Sequence, residues 1–447
     1  MTACSTKRTM SVDIESYSSV DIKLGSYAYA NAPDFEILLI AYSIDGGPVT
    51  VHDCTEPGCW PRDFLELLTD PNAIKISYNA NFERTCLGRA LEQDMPPEQW
   101  RDTMIAAAAA GLPRSLADVG KALGLPQDEQ KDKTGKALIQ YFCKPCKPTR
   151  ANGGRTRNLP IHAPEKWALF KEYNAQDVVA EQAIARALLK YMPSKDEQDL
   201  WTLDQEINDR GVRLDTDLAD RIISYDTDRA VSLMAEAREL TGLSNPNSLP
   251  QLKEWLSRQG VPAETLRKDD VDAILAGHCT DKVRRVLEIR QAVGKSSIKK
   301  YQTMLDIADP DDQRARGIMQ FYGGHTGRWA GRALQPQNLV RNSMPDPELD
   351  AARDLIKTGH IDELEMLFGE PSEVFSQLVR TAFIPSDGCR FVVSDFSAIE
   401  ARVIAWIAGE QWRLQVFEQG GDIYCESASR MYHVPVEKHG QNAELRQ

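Results

Sequence analysis

No apolar run in this sequence approaches the ~18 residues that a membrane-crossing helix needs, so nothing in it reads as a span. The opening residues, MTACSTKRTMSVDIES, lack the apolar core of a secretory signal, which points to a cytoplasmic protein. Cysteine is sparse, nine thiols scattered over 447 residues, and forms no dense framework of the disulfide-stapled kind. Internal repeats are missing, and the one biased tract, Ala106 to Ala110, reads as helix. With 42% hydrophobic and 27% charged residues, fibrous and disordered classes are excluded as well. A basic excess is also missing: 53 Lys+Arg against 66 Asp+Glu leave a net charge of −13, which at first argues against a nucleic-acid partner.

The average conceals an uneven distribution. Lys131 to Lys171 holds ten Lys/Arg against two carboxylates, and Lys282 to Lys300 holds seven against Glu288 alone. Basic stretches in an acidic chain suit either solvated faces or grooves that follow a phosphate backbone beside carboxylate sites that need metals. The length predicts two to four domains. Met10 to Glu15 alternates strictly, Met10, Val12 and Ile14 one way and Ser11, Asp13 and Glu15 the other, as a strand does. Further strands are expected at Phe35–Ile44, Pro48–Cys54 and Ala73–Tyr78, and helices after Pro61, over Asn81–Leu91 and over Glu165–Met192. Together these imply a mixed sheet covered by helices. Cys143 to Pro160 reads as a loop, and 195 to 310 as almost wholly helical. Beyond the Gly-rich segment Tyr322–Arg328, the apolar run Phe391-Val392-Val393 reads as a buried strand leading into Asp395.

Asp13 and Glu15, two apart on a strand, project from one face, and two hard carboxylates on one face suit Mg²⁺. A solvated edge strand would look the same. A second carboxylate, Glu83 in Asn79-Ala-Asn-Phe-Glu83, opens a helix after a strand, and Tyr173 and Asp177 are neighbours on one helical face. Taken together, these segments resemble the DEDDy group of 3′–5′ exonucleases, whose motifs run DxE, N-x2-[FY]-D and Y-x3-D. Asp102 and Ser115-Leu116 look like the intervening region of that group. The resemblance implies that Asp13, Glu15, Glu83 and Asp177 hold two Mg²⁺ ions, with Mn²⁺ as a substitute, and that Tyr173 contacts the attacking water. Glu83 departs from the usual Asp.

The segment Asp395-Phe-Ser-Ala-Ile-Glu-Ala-Arg402 resembles motif A of family A DNA polymerases, the bacterial DNA polymerase I type, usually DYSQIELR. The resemblance implies that Asp395 binds the catalytic metals, that the Phe396 backbone assists, and that Glu400 packs under the incoming sugar. Thr326-Gly-Arg328 with Gln337-Asn338-Leu339 is similar to the TGR…QNI segment of that family, which implies minor-groove contacts for Arg328, Gln337 and Asn338. Leu203–Val212 and Asn245–Leu252 look like its thumb, so Lys295, Lys299 and Lys300 are expected on duplex phosphates. Tyr424 stands where the family has a histidine near the triphosphate, and Arg446 matches the arginine that starts the fingers helix. Trp406 and Trp412 are expected to pack the helix after motif A. Cys143-x2-Cys146 and the pair Cys54 and Cys59 lack the second pair of ligands that a zinc site needs.

The expected architecture is an α/β multidomain protein of phage-like type. An RNase H-like mixed-sheet exonuclease domain spans 1–193, a helical thumb 194–315, the first part of an α+β palm 316–410, and the start of the fingers 411–447. No 5′-nuclease domain is expected ahead of it. Its partners are primer-template DNA, a single-stranded 3′ end and deoxynucleoside triphosphates, without a membrane. The lysine and aromatic of the fingers helix and the second palm aspartate have no counterpart in these residues, so the chain is expected to degrade but not extend DNA. A truncated, split or interrupted gene would each give this pattern, and a second chain bearing motifs B and C would complete it. Two other readings stay open: a stand-alone nuclease with a vestigial palm, and a non-catalytic DNA-binding subunit.

Overall fold

The computed structural model describes residues 7–56, 58, 60–126, 135–293 and 297–446, with the side chains of Lys268, Ser297 and Asp362 also outside the description. Lys295 and Cys59, singled out above, therefore lie outside the described residues. The chain forms two compact units, 1–384 and 385–447.

The first unit opens with a five-stranded sheet in the order β3-β2-β1-β4-β5. Its strands are β1 (Thr9–Tyr17), β2 (Glu36–Ile44), β3 (Thr50–Asp53), β4 (Ile74–Ser77) and β5 (Trp100–Asp102). The first three run antiparallel as a meander, and β4 and β5 are added parallel to β1, giving the mixed sheet that the pattern implies. Met10, Val12 and Ile14 bury their face of β1 against Phe64, Leu67 and Leu68 of α1 (Arg62–Thr69) and Leu87 of α2 (Ala80–Leu91). Helix α3 (Thr103–Ala109) follows β5 directly, and α4 (Gly135–Phe142) precedes the irregular segment to Pro160.

The opposite face of β1 is covered too, by α5 (Pro164–Ala187). Trp167, Phe170, Asn174, Asp177, Glu181 and Ile184 fall at helical spacing on its buried stripe. Three of these six are polar, so this interface is not built for hydrophobic stability alone. The helix ends at Ala187, and a 3-10 turn, Leu189–Tyr191, completes the segment expected to stay helical to Met192.

Helix α6 (Lys195–Arg210) starts in a capping box of Ser194 and Glu197 and packs Trp201 into the core of the sheet. Arg84, 95% buried by its side chain, reaches Asp209 of α6 at 2.7 Å, and Tyr27 bonds the same carboxylate at 2.5 Å. Helices α7 (Thr216–Thr241) and α8 (Ser297–Ile307) share a core with Leu349, Ile356, Phe375 and Leu378 of the later helices. A smaller core joins Leu252, Trp255 and Leu256 to Val283, Val286 and Leu287.

In the second unit, α9 (Ile399–Ala408), α10 (Gln411–Glu418) and α11 (Ile423–Tyr432) enclose a small core of Ala405, Phe417 and Ile423. The buried strand expected at Phe391–Val393 does not form: the segment is irregular, and Val393 is 91% exposed. A strand needs a neighbour to take its backbone hydrogen bonds, and no described strand pairs with this one. Trp406 is likewise 72% exposed rather than packed, whereas Trp412 lies against the small core.

Candidate functional site

Strand β1 sits at the middle of the sheet and presents Asp13 and Glu15 toward α5. A bulge between Glu15 and Ser16 breaks the register with β2 immediately after the second carboxylate. From α5, Asp177 meets both, and ligand oxygens of Asp13, Glu15 and Asp177 all lie within 4.8 Å of one another. The sequence analysis placed these three together, and the fold does bring them together.

Glu83 enters from α2. Its chain turns through Asn79, which takes a left-handed conformation (φ 77°), and the Asn79 N–H donates to Asp102 Oδ1 at 3.0 Å. The same Asp102 oxygen caps α3 by accepting from Met104 N at 2.9 Å, so one buried carboxylate starts two helices. Glu83 is 3% exposed, and its Oε2 has no hydrogen-bond partner among the described residues. Burial, then the charge of Asp13, with Asp102 and Glu15 behind it, pushes the Glu83 carboxyl well above the usual range. Burial also lifts Asp102, to about 6.

Tyr173 is buried beside Asp177, and burial with the charges of Asp177, Glu15 and Asp13 raises its phenol, which stays a donor. Its ring stacks on Phe170 at 6.1 Å and 11°, and Phe170 stacks on Phe142 at 5.5 Å. A Cβ on Gly135 would overlap the Tyr173 ring, so only glycine leaves room there.

Two contacts escaped the sequence reading. Asn174 donates from Nδ2 to Asp13 Oδ2 at 2.7 Å and so orients the first carboxylate. Cys143 Sγ lies 3.7 Å from Glu15 Oε2. Asn174 stands three residues before Asp177 and on its face of the helix, a signal available in the sequence. Cys143 lies at the end of α4, and no spacing links it to Glu15.

Three converging carboxylates, Asp13, Glu15 and Asp177, fit a hard divalent cation, and the buried Glu83 with its orphaned oxygen lies near enough to feel the Asp13 and Glu15 charges.

The basic segment after α4 is partly committed to the fold. Arg157 pairs with Glu36 at 2.5 Å and covers the Tyr17 ring, and Lys171 lies 3.5 Å from Asp53. In the second basic stretch, Arg285 pairs with Glu236 at 2.7 Å and Arg284 donates to the Leu275 carbonyl. Lys300 donates to the Leu334 carbonyl at 3.1 Å, whereas Lys299 is exposed. Lys300 is thus engaged in holding α8 to the loop, a use that its charge did not announce.

Arg328, Gln337 and Asn338 are all exposed on the segment that follows. Trp329 Nε1 donates to the buried Asp204 at 2.7 Å, and Arg114 donates to the Tyr322 carbonyl at 2.9 Å. These bonds anchor the segment to α6 and to the sheet portion.

In the second unit, Asp395 and Phe396 are exposed in the irregular segment, and Glu400 lies in the first turn of α9. Ala398, left-handed at φ 52°, makes the turn into that helix. Arg446 pairs with Asp422 at 2.8 Å and lies 5.4 Å from the centre of the Tyr424 ring. Tyr424 and Arg446 are therefore neighbours.

The family model "DNA polymerase family A" matches residues 223–447. A DNA polymerase of Bacillus phage SP02 is 52% identical over 442 residues, which cover 98% of this chain and 67% of that protein. The thermostable DNA polymerase I of Thermus aquaticus is 44% identical over 61 residues, 14% of this chain and 7% of its own. Among solved structures, the POL domain of Pol1 from M. smegmatis, in complex with DNA primer-template and dNTP, aligns with a TM-score of 0.51 at 16% identity. The alignment covers 99% of this chain and 66% of that one. That likeness supports the multidomain α/β fold. The chain belongs to the family A DNA polymerases.

Proposed function

We propose that this chain combines a 3′–5′ exonuclease, built on Asp13, Glu15, Glu83, Tyr173 and Asp177, with the motif A portion of a DNA polymerase. The convergence of three carboxylates within 4.8 Å beside a buried, orphaned fourth carries the reading. Asp13, Glu15 and Asp177, with Glu83 beside them, would hold divalent cations such as Mg²⁺ or Mn²⁺, which would supply positive charge for phosphodiester hydrolysis. The protein's part is positional. Asn174 holds Asp13, and the stacked Phe142 and Phe170 hold Tyr173, whose phenol keeps its proton and donates to the water or the scissile phosphate. Glu83 must release its proton to bind a cation, so cation loading strengthens as pH rises.

A DNA 3′ end reaches the carboxylates through a cleft lined by Glu15, Phe82, Ile139, Cys143 and Lys144. Exposed Arg328, Gln337, Asn338 and Lys299 suit contacts with primer-template duplex, and Asp395, Glu400, Tyr424 and Arg446 suit a deoxynucleoside triphosphate. Asp395 stands in an irregular, exposed apolar segment rather than on a sheet, and one carboxylate cannot hold two catalytic ions. By this reading the chain alone shortens primers and does not extend them.

The test is a 5′-labelled primer on a longer template with Mg²⁺, with and without deoxynucleotides. Shortening without extension, lost in Asp13→Ala while DNA is still bound, supports the proposal. DNA binding with no cleavage in the unaltered chain would leave a binding subunit, and extension would show that the palm is complete in another way.

A further inference from the structure

Residues 144–158, which follow α4, carry five Lys/Arg and no carboxylate. Two of the five serve the fold. Arg157 pairs with Glu36, and Arg155 gives its Nε to Asn158 Oδ1 at 2.8 Å and its Nη1 to the Asn152 carbonyl at 3.0 Å. Lys144, Lys147 and Arg150 form no ion pair with a carboxylate among the described residues, and the last two are exposed. Uncompensated like charges repel one another and loosen a loop. This loop is instead folded around the Asn152 amide. Its Oδ1 accepts from Thr149 N at 2.8 Å and Gly154 N at 3.1 Å, and its Nδ2 donates to the carbonyls of Lys147 at 2.9 Å and Arg155 at 3.2 Å. Cys146 N–H closes the base of the loop on the Thr156 carbonyl at 2.7 Å. The loop also starts at the carboxylates: Cys143 Sγ is 3.7 Å from Glu15 Oε2, and Gln140, Lys144 and Pro145 line the cleft that Glu15 lines.

We infer that Lys144, Lys147 and Arg150 form a phosphate track that guides a single DNA strand, 3′ end first, into the carboxylate cleft. The inference deepens the exonuclease reading proposed above and rests on it. Asp13, Glu15 and Asp177, crowded within 4.8 Å, repel a polyanion approaching the cleft. Positive charge fixed at the entrance offsets that repulsion and draws the strand in. Lys147 stands three residues beyond Lys144, within ~11 Å along even a fully extended chain. The track therefore serves the nucleotides behind the terminal one, and the terminal one sits among the carboxylates. Contacts to phosphate accept any base sequence, as removal of an arbitrary 3′ end requires. Asn152 is the positioning residue: without its amide the loop keeps its charge but no longer holds it beside the cleft.

The test measures binding of a short, fluorescently labelled single strand of DNA to the full chain without metal, by anisotropy over a salt series. Each phosphate contact to a single strand contributes ~0.7 to the slope of log K against log salt. Lys147→Ala combined with Arg150→Ala should therefore flatten the slope by ~1.4 and weaken binding at low salt by at least ~10-fold. In Mg²⁺-dependent shortening of the same strand, this double variant should raise KM and leave kcat within about twofold. Asn152→Ala, which keeps every charge, should also raise KM, a result that charge alone does not give. An unchanged slope and KM in the double variant overturn the inference, and so does an equal loss of binding for a blunt duplex. Because binding is read without metal, the two readings fail separately. No shortening by the unaltered chain removes the nuclease, whereas shortening with an unchanged slope in the double variant removes the track.

Discussion

Asn174 and Glu181 show what single polar residues do on the buried stripe of α5. Asn174 touches no substrate in the arrangement described, yet its amide fixes the Asp13 carboxylate proposed above as a metal ligand. Such supporting ligand partners are worth ~10–100-fold in metal affinity or activity. Asn174→Ala should raise the Mg²⁺ concentration for half-maximal primer shortening by that factor, as a Mg²⁺ titration would read. Glu181 is fully buried one helical turn beyond Asp177, and burial pushes its carboxyl up to about 7, partly offset by Ser11 and Thr103. A carboxyl raised in the folded state costs nothing below its unfolded pKa and destabilises progressively as pH climbs to the folded value. From about pH 4.5 to 7 the metal-free protein should therefore lose ~3 kcal/mol through this group. Glu181→Gln should match the unaltered protein at pH 4 and exceed its stability at pH 8, which denaturant unfolding at the two pH values would measure.

Helix α6 is the element on which the first unit turns. The helical stretch from 195 was legible in the sequence, but its allegiance was not. Trp201 looks the same whether it packs on the sheet or on the later helices, and only the fold shows it in the sheet's core. The buried Arg84 hidden behind Glu83 pairs with Asp209 of α6, 125 residues away, and no local pattern announces such a pair. Asp209→Ala leaves Arg84 with Gln205 and the Met95 carbonyl. A lost charge-assisted bond costs ~2 kcal/mol, so the main unfolding transition should shift by about that much. A change below ~0.5 kcal/mol would show that this pair does not hold α6 in place. Strands β1 to β4 were readable because alternation and turn residues are local signals. The expected strand at 391–393 failed for the converse reason, since apolar β-prone residues need partner strands that the described residues do not provide.

Across the whole molecule, stability is distributed unequally. The first unit holds several cores of large side chains, whereas the second rests on Ala405, Phe417 and Ile423, with a further cluster of Cys425, Ala428 and Val436. Few buried apolar contacts mean low local opening free energy. Limited proteolysis should cut first within 385–398 and leave a resistant product ending near Ile384, whose far-ultraviolet spectrum retains the sheet. First cleavage inside the sheet instead would contradict this ordering. The acidic total that seemed to exclude DNA is explained at this scale as well. Part of the acidic charge is gathered into the largely buried carboxylate cluster, while basic residues such as Lys299 and Arg328 remain exposed outside it.

Gly135 has a consequence for heredity. Because the phenol of Tyr173 fills the space that a Cβ would need, a one-carbon change at a residue with no functional group displaces the ring proposed to meet the water. Gly135→Ala should slow primer shortening by at least ~10-fold through lost positioning and leave Mn²⁺ binding at the carboxylates intact, a split that rate and titration measurements on one sample would display. With the exonuclease proposed above serving as a proofreader, such an allele would be a mutator in a replicating genome, and no altered carboxylate would betray the cause. On that same reading, the error rate of a lineage would be adjustable from a position that a search for catalytic residues would pass over.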